Sequence, residues 1–363
     1  MPMRLGSSRP GPLRSGLGAT CSARGPAIAP GCRHRPGYSC GRSRKGGAGM
    51  PDVVTIGETM LRLSALPGVP LEQAPQLDVH VAGAESNVAI ALCRLGTTAG
   101  WISRLVDTPL GRRIVNELRG HGVDVSRVLW APDGRIGIYF LEQGIPPRQH
   151  RIIYDRAQSA MALLDPKEVD WGFVRSARLV HLTGITPALS AGCRAATVQA
   201  IAEARGARAL VCFDVNYRAK LWSADEAKTA LGSLLAGVDI LISTADDARL
   251  LLSHGESAEQ LAEQLALRFS AGTVVVTDAG RCAAAQNGQV VSKEGYEVES
   301  VDRVGAGDAF AAGFIHGYLT GGLDRALEYA VAVGALKHTY RGDVAWVSKE
   351  DLKEFLSGSP RWR

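Results

Sequence analysis

The sequence predicts an α/β fold in which a mostly parallel sheet is covered by helices on both faces and carries a small β lid. Three observations lead there. From residue 51 onward, short apolar runs rich in β-branched residues alternate with longer helical patterns, the signature of strand–helix–strand units. The strand-like runs are apolar at consecutive positions, as strands covered on both faces must be. Two stretches, 59–82 and 133–160, break the alternation with shorter, more polar segments and Pro and Gly turns, which suits antiparallel strands outside the main sheet.

In chain order, "VVTIG" (53–57) reads as a buried strand and "ESNVAIALCRLG" (85–96) as a one-faced helix that stops at Gly96. Within the second lid stretch, "RIGIYFLEQ" and "HRIIYDRA" alternate polar and apolar residues. "ARLVHLTG", "ALVCFDVN", "VDILIS" and "TVVVTD" follow as strands, with "AGCRAATVQAIAEARG" (191–206) and "SAEQLAEQLALRFS" (257–270) among the helices between them. Without internal repeat or linker in 51–363, one domain with lid segments is expected there.

The chain has 363 residues, 46% of them hydrophobic, enough for a large core. Its net charge of +5 comes from one end. Residues 1–50 hold nine of the 41 Lys and Arg residues and none of the 36 Asp and Glu, leaving 32 basic against 36 acidic side chains beyond them. This Gly-, Pro- and Arg-rich tail lacks any apolar period and is expected to be disordered. Its readings are an upstream-extended start before Met50, a transit peptide, a basic nucleic-acid arm, or a metal knuckle of Cys21, Cys32, His34 and Cys40. The missing amphipathic period favours the first, with no nucleic-acid partner. No 18-residue apolar stretch is present, so no membrane span is expected. Cys93, Cys193, Cys212 and Cys282 lack CxxC spacing and read as reduced thiols of a cytoplasmic protein.

The chemistry concentrates in "VESVDRVGAGDAFAAGFIHGYL" (298–319), a loop opening a helix at about Gly305. Gly305 and Gly307 allow a tight turn with uncovered N–H groups, and a helix N-terminus adds positive charge, which together make an anion site. Phe310 stands where a dinucleotide fingerprint needs its third glycine, and the chain has no Gly-Lys dipeptide for a Walker A loop. Asp308, a carboxylate beside a phosphate cradle, suits a base that takes a hydroxyl proton while N–H groups neutralise a phosphoryl group, as in a kinase acting on an alcohol. The competing reading makes Asp308 a helix cap.

"DRVGAGDAFAAGF" and "AGAESNVAIALCRLG" resemble the two signatures of the ribokinase-like sugar kinases, and the likeness runs from about Val53 to Leu356 through "GIYFLE", "YDRAQSA", "HLTGITPALS", "DVNYRAKLW" and "ALKHTYRGD". Within that family the chain is similar to the kinases of 2-keto-3-deoxygluconate. The resemblance implies a ribokinase-like three-layer sandwich and the use of ATP with Mg²⁺. It implies Asp308 as catalytic base, with the N–H groups of Gly305, Ala306 and Gly307 as anion hole. On the sugar side it implies Gly83, Asn87 and Tyr139, with Tyr154 and Arg156 meeting the keto-acid end, Arg218 as a second arginine and Asp343 as an acid closing over the substrate. An Arg fork suits a carboxylate, and Asn and Asp suit hydroxyls.

The nucleotide half departs from the family pattern. "STADDA" offers Thr244 and Asp247 where relatives carry Asn-x-x-Glu, whose acid helps organise Mg²⁺. "TDAGRCAA" keeps Thr277 and a displaced Gly280 but has Ala279 and Cys282 at glycine positions, and Val331 replaces an adenine-side Asn. Weaker ATP binding is expected. Two rival functions stand beside the sugar-acid kinase: a fructokinase- or ribokinase-type enzyme for a neutral sugar, and a non-catalytic sugar-acid binder. The paired arginines argue against the first and the surviving Asp308 turn against the second. A homo-oligomer joined through the lid fits the resemblance.

Overall fold

In a computed structural model describing residues 49–252 and 255–358, each apolar run becomes a strand: β1 Val53–Ile56, β2 Met60–Ser64, β3 Asp78–Ala82, β4 Ala99–Ile102, β5 Arg104–Val106, β6 Leu129–Ala131, β7 Ile138–Glu142, β8 Arg151–Asp155, β9 Leu179–Thr183, β10 Leu210–Asp214, β11 Ile240–Thr244, β12 Thr273–Asp278, β13 Arg281–Gln286 and β14 Gln289–Glu294. The expectations placed on residues 1–48, the metal knuckle among them, lie outside the described residues. The central sheet has the order β14-β13-β12-β11-β10-β9-β1-β4. Its strands from β4 to β12 pair in parallel, and β13 and β14 run antiparallel at one edge.

Alternation within the strands builds the three layers, because successive side chains leave a strand on opposite faces. Val53, Leu179 and Cys212 join the core beneath helices Ala84–Leu95 and Ala306–Lys337. Val54, Val180 and Val211 join the opposite core, with helices Ala191–Gly206 and Ala258–Phe269. Helix Ala84–Leu95 ends as expected, with Gly96 in the left-handed region at φ 94°. The cysteines Cys93, Cys193, Cys212 and Cys282 are free thiols. No helix among the described residues is long and apolar enough to cross a membrane.

The strands of the two lid stretches form a separate sheet of order β3-β2-β7-β8. The expected antiparallel pairing holds for β2 with β3 and β7 with β8, but β2 and β7 are parallel. Each hairpin closes locally, whereas β2 and β7 are separated by the helix and strand excursion of 84–131, which returns the chain in the same direction.

The glycine-run helix differs most from its reading. It spans Ala306–Lys337 but breaks at Gly322 (φ 79°, ψ −165°), so its two halves fold back on each other. A Cβ on Gly313 would stand 2.6 Å from the Tyr329 carbonyl oxygen, and one on Gly317 2.6 Å from the Ala326 Cα. The reversal returns the helix's last turn to its own beginning.

Candidate active site

The parallel strands end on one edge of the sheet, where α/β folds collect ligands. Glu58 follows β1, Asp214 ends β10 and Thr244 ends β11. The starts of helices Ala84–Leu95 and Ala306–Lys337 meet that edge, and the lid leans over it. Between them lies a cavity of about 500 Å³. Gly83 and Asn87 line it from the first helix, Tyr139, Tyr154 and Arg156 from the lid, and Arg218, Thr244 and Asp247 from the strand ends. Gly305, Gly307, Asp308 and Asp343 complete its floor. A second cavity, about 270 Å³, holds Thr277, Ala279 and Gly280 on one side and Ala306, Phe310 and Val331 on the other. Gly307 lines both.

The N-cap of the long helix is Gly305, at φ 85°. A Cβ there would stand 2.0 Å from the Asp343 carbonyl oxygen, so only glycine fits. Asp308 sits three residues further, and its carboxylate accepts from Asn87 Nδ2 at 2.7 Å rather than from a helix N–H. The helix-cap reading of Asp308 therefore falls. Burial pushes its carboxyl up to about 6, against the pull of Asn87 and Arg218. Of the three N–H groups expected to form the anion hole, that of Ala306 donates to the Arg303 carbonyl at 3.2 Å, because the tight turn closes on itself. The N–H groups of Gly305 and Gly307 have no acceptor among the described residues.

More carboxyls surround this point than the sequence reading named. Asp214 is pushed up to about 8, first by burial and then by Asp308 and Asp247, while Asn216 donates to it at 3.2 Å. The signal for it was a carboxylate closing the buried run "ALVCFD" at a strand's C-terminal end. Asp247 is raised by burial and accepts from the Tyr217 N–H at 3.3 Å. Thr244 Oγ1 accepts from the Asp247 N–H at 3.1 Å, starting helix Ala245–Leu252. Glu85, raised by burial to about 7, accepts from the Thr183 and Thr186 hydroxyls at 2.8 and 2.7 Å. Among the described residues no three Asp, Glu, His or Cys side chains form a metal cage. Nucleotide-bound Mg²⁺ needs only one or two carboxylates besides phosphates and water. Asp214 and Asp247, the second of which helps to raise the first, suit that task.

On the lid side, two of the expected substrate residues already have partners within the chain. Asp343 lines the cavity with both carboxylate oxygens engaged. Its Oδ1 accepts from Arg62 Nη1 at 2.8 Å and its Oδ2 from the Tyr139 hydroxyl at 2.7 Å. Arg62 also binds Asp302 Oδ2 at 2.6 Å and Ser64 Oγ at 2.6 Å. This buried network ties β2 and β7 to the floor of the site. Arg62 escaped notice, although a charge amid the apolar "MLRLS" was the clue. Arg156, expected to offer a fork to a substrate carboxylate, gives Nε and Nη2 to Glu58 Oε2, the former at 2.8 Å. Glu58 is buried at the end of β1, and a buried carboxylate without a counterion would be costly. Arg218 is exposed at the cavity, and its guanidinium makes no hydrogen bond or ion pair among the described residues. Tyr139 and Tyr154 pair across the β7–β8 ladder, with ring centroids 5.6 Å apart.

Ala279, in the expected nucleotide loop, adopts φ 40°, followed by Gly280 at φ 92°. These residues make the two-residue turn between β12 and β13, whose geometry asks for positive φ at both positions.

The pfkB family carbohydrate kinase profile matches residues 50–349. The chain is 42% identical over 309 residues to the 2-dehydro-3-deoxygalactonokinase of Haloferax volcanii, covering 85% of this chain and 97% of that one. It is 36% identical over 323 residues to the 2-dehydro-3-deoxygluconokinase of Thermoproteus tenax, covering 87% and 98%. The solved 2-dehydro-3-deoxygluconokinase of Thermotoga maritima superposes with a TM-score of 0.80 at 34% identity, over 84% of this chain and 99% of that one. Sequence, strand order and lid agree in placing this chain in the pfkB family of carbohydrate kinases.

Proposed function

We propose that this protein transfers the γ-phosphoryl group of ATP to the terminal hydroxyl of a 2-keto-3-deoxy sugar acid, 2-keto-3-deoxygluconate or its galacto epimer. One observation carries the reading: two cavities meet at Gly307, with Asp308 facing the larger. The smaller, with Phe310 and Val331 in its wall, suits an adenine, and the larger, polar one suits a sugar acid. The kinases named above for the galactonate and gluconate substrates are the relatives that support this class.

Asn87 orients the Asp308 carboxylate, which takes the hydroxyl proton as the new O–P bond forms and the bond to the ADP oxygen breaks. The Gly305 and Gly307 N–H groups face the charge that grows on the phosphoryl oxygens. Arg218, the free guanidinium, meets the substrate carboxylate, and Arg156 shapes the pocket wall through Glu58. Asp214 and Asp247 would hold Mg²⁺, which when bound would neutralise charge on the phosphates. Gly83, Tyr139 and Tyr154 contact the sugar, while Thr277 and Gly280 border the nucleotide.

A purified-enzyme panel of both keto-acid epimers, fructose and ribose, with ATP and Mg²⁺, tests this. Turnover of a keto acid at the highest kcat/KM is expected. Preference for fructose or ribose would reassign the substrate, and no ATP binding at millimolar nucleotide would leave a sugar-acid binder.

A further inference from the structure

Lys337, the last residue of the long helix, is completely buried, with a relative exposure of 0%. Its ammonium forms no ion pair among the described residues. It donates to two main-chain carbonyls, Asp302 O at 2.7 Å and Tyr340 O at 3.4 Å. The Asp302 carboxylate nearby is already taken by Arg62, the Gly342 N–H and the Val304 N–H. A buried ammonium held by carbonyls is an expensive way to fill space that an apolar side chain would fill without cost.

Its position supplies the reason. Asp302 begins the turn that ends in Gly305–Gly307, and the same segment is fastened to the helix end by the Val301 and Asp302 N–H groups on the His338 carbonyl, at 2.8 and 3.2 Å. The fold-back at Gly322 places the cation of the helix's last residue behind the turn that opens its first. Asp302, Asp343, Arg62 and Asp308 are the charges that face Lys337. Asp308 is faced in turn by Asn87, Arg218, Asp343 and Lys337, and it raises Glu85 and Asp214.

We propose that Lys337 is a positioning residue for phosphoryl transfer, a built-in cation beneath the phosphate-binding turn that holds the Asp302 carbonyl in place and faces the Asp308 carboxylate. The proposal rests on the reading of Asp308 as the base. Lys337 touches neither substrate and acts through the turn and through Asp308.

The test is Lys337→Met in the full chain, with melting temperature, kcat, KM, the pH profile of kcat and the ¹³C titration of the Asp308 carboxyl measured beside the wild type. The expected result is a folded protein whose kcat falls about 10- to 100-fold with a smaller change in KM. The acidic limb of kcat and the Asp308 titration should both move up. Ammonium or methylammonium ions should restore part of the kcat of Lys337→Ala and leave the wild type unchanged. An unmoved Asp308 titration, or a kcat reduced only in proportion to the unfolded fraction, would overturn the proposal. Should Lys337→Met not fold, Lys337→Gln is measured, and loss of the fold in both assigns the ammonium to the fold alone and also overturns it. A wild type without kinase turnover would refute the functional reading instead, and the carboxyl titration would still decide the role of Lys337.

Discussion

Replacing Asp308 with Asn should make the protein more stable and nearly inactive. The side chain keeps its shape, and its oxygen still accepts from Asn87 Nδ2, now at 2.7 Å from the carboxylate. Proton acceptance is lost, so kcat should fall by about 10² to 10⁴. Stability moves the other way. Burial pushes the Asp308 carboxyl from its ordinary 3.8 up to about 6 in the fold, so its ionised form opposes folding by up to about 3 kcal/mol at neutral pH, less as water enters the cavity. The sign follows from linkage: below pH 3.8 the carboxyl is neutral in both states, the penalty grows as pH rises towards 6, and it is complete above that. Asp308→Asn should therefore melt about 2 to 5 °C higher at pH 7.5 and equal to the wild type near pH 3.5. Calorimetry at the two pH values, with a coupled ADP-release assay at pH 7.5, measures both. Near-normal kcat would remove Asp308 from the chemistry, and a lower melting temperature at pH 7.5 would show that the carboxylate holds the turn together.

The remaining predictions concern the surroundings of that carboxylate. Because the base must be ionised, kcat of the wild type should drop about tenfold per pH unit below about 6, and a flat profile down to pH 5 would contradict the base assignment. Arg218→Ala should raise KM for the sugar acid about tenfold or more while sparing a neutral analogue, and equal effects on both would take the carboxylate away from Arg218. Arg156→Ala should cost about 3 to 5 kcal/mol of stability, since Glu58 is left buried without its counterion, and an unchanged urea midpoint would show the pair to be dispensable. Ala279→Asn, at φ 40° in a turn suited to Asn-Gly, should add about 1 kcal/mol, and a lower melting temperature would mean that the Cβ packing at this turn outweighs the backbone strain.

What the sequence determined by itself is what short-range physics governs. β1, β9, β10, β11 and β12 lie where runs such as "VVTIG" and "TVVVTD" placed them, because a stretch apolar at every position is satisfied only in a strand covered twice. Gly96 ends its helix and Gly305 opens another through a left-handed backbone that a residue type announces. The turn at Asp308 was legible for the same reason. The tertiary structure alone decided which charges pair. Arg62 meets Asp302 and Asp343 across 240 and 281 residues, and Arg156 meets Glu58 across 98. No periodicity encodes such partnerships, since each carboxylate takes the guanidinium that packing of the whole chain brings to it. The strand β13, "RCAAAQ", was silent too, for alanines carry no strand preference of their own. The fold-back at Gly322 belongs with these: a glycine permits the reversal, but only the fit of the two helical halves against the sheet imposes it and delivers Lys337 to the far side of the turn that its own helix begins.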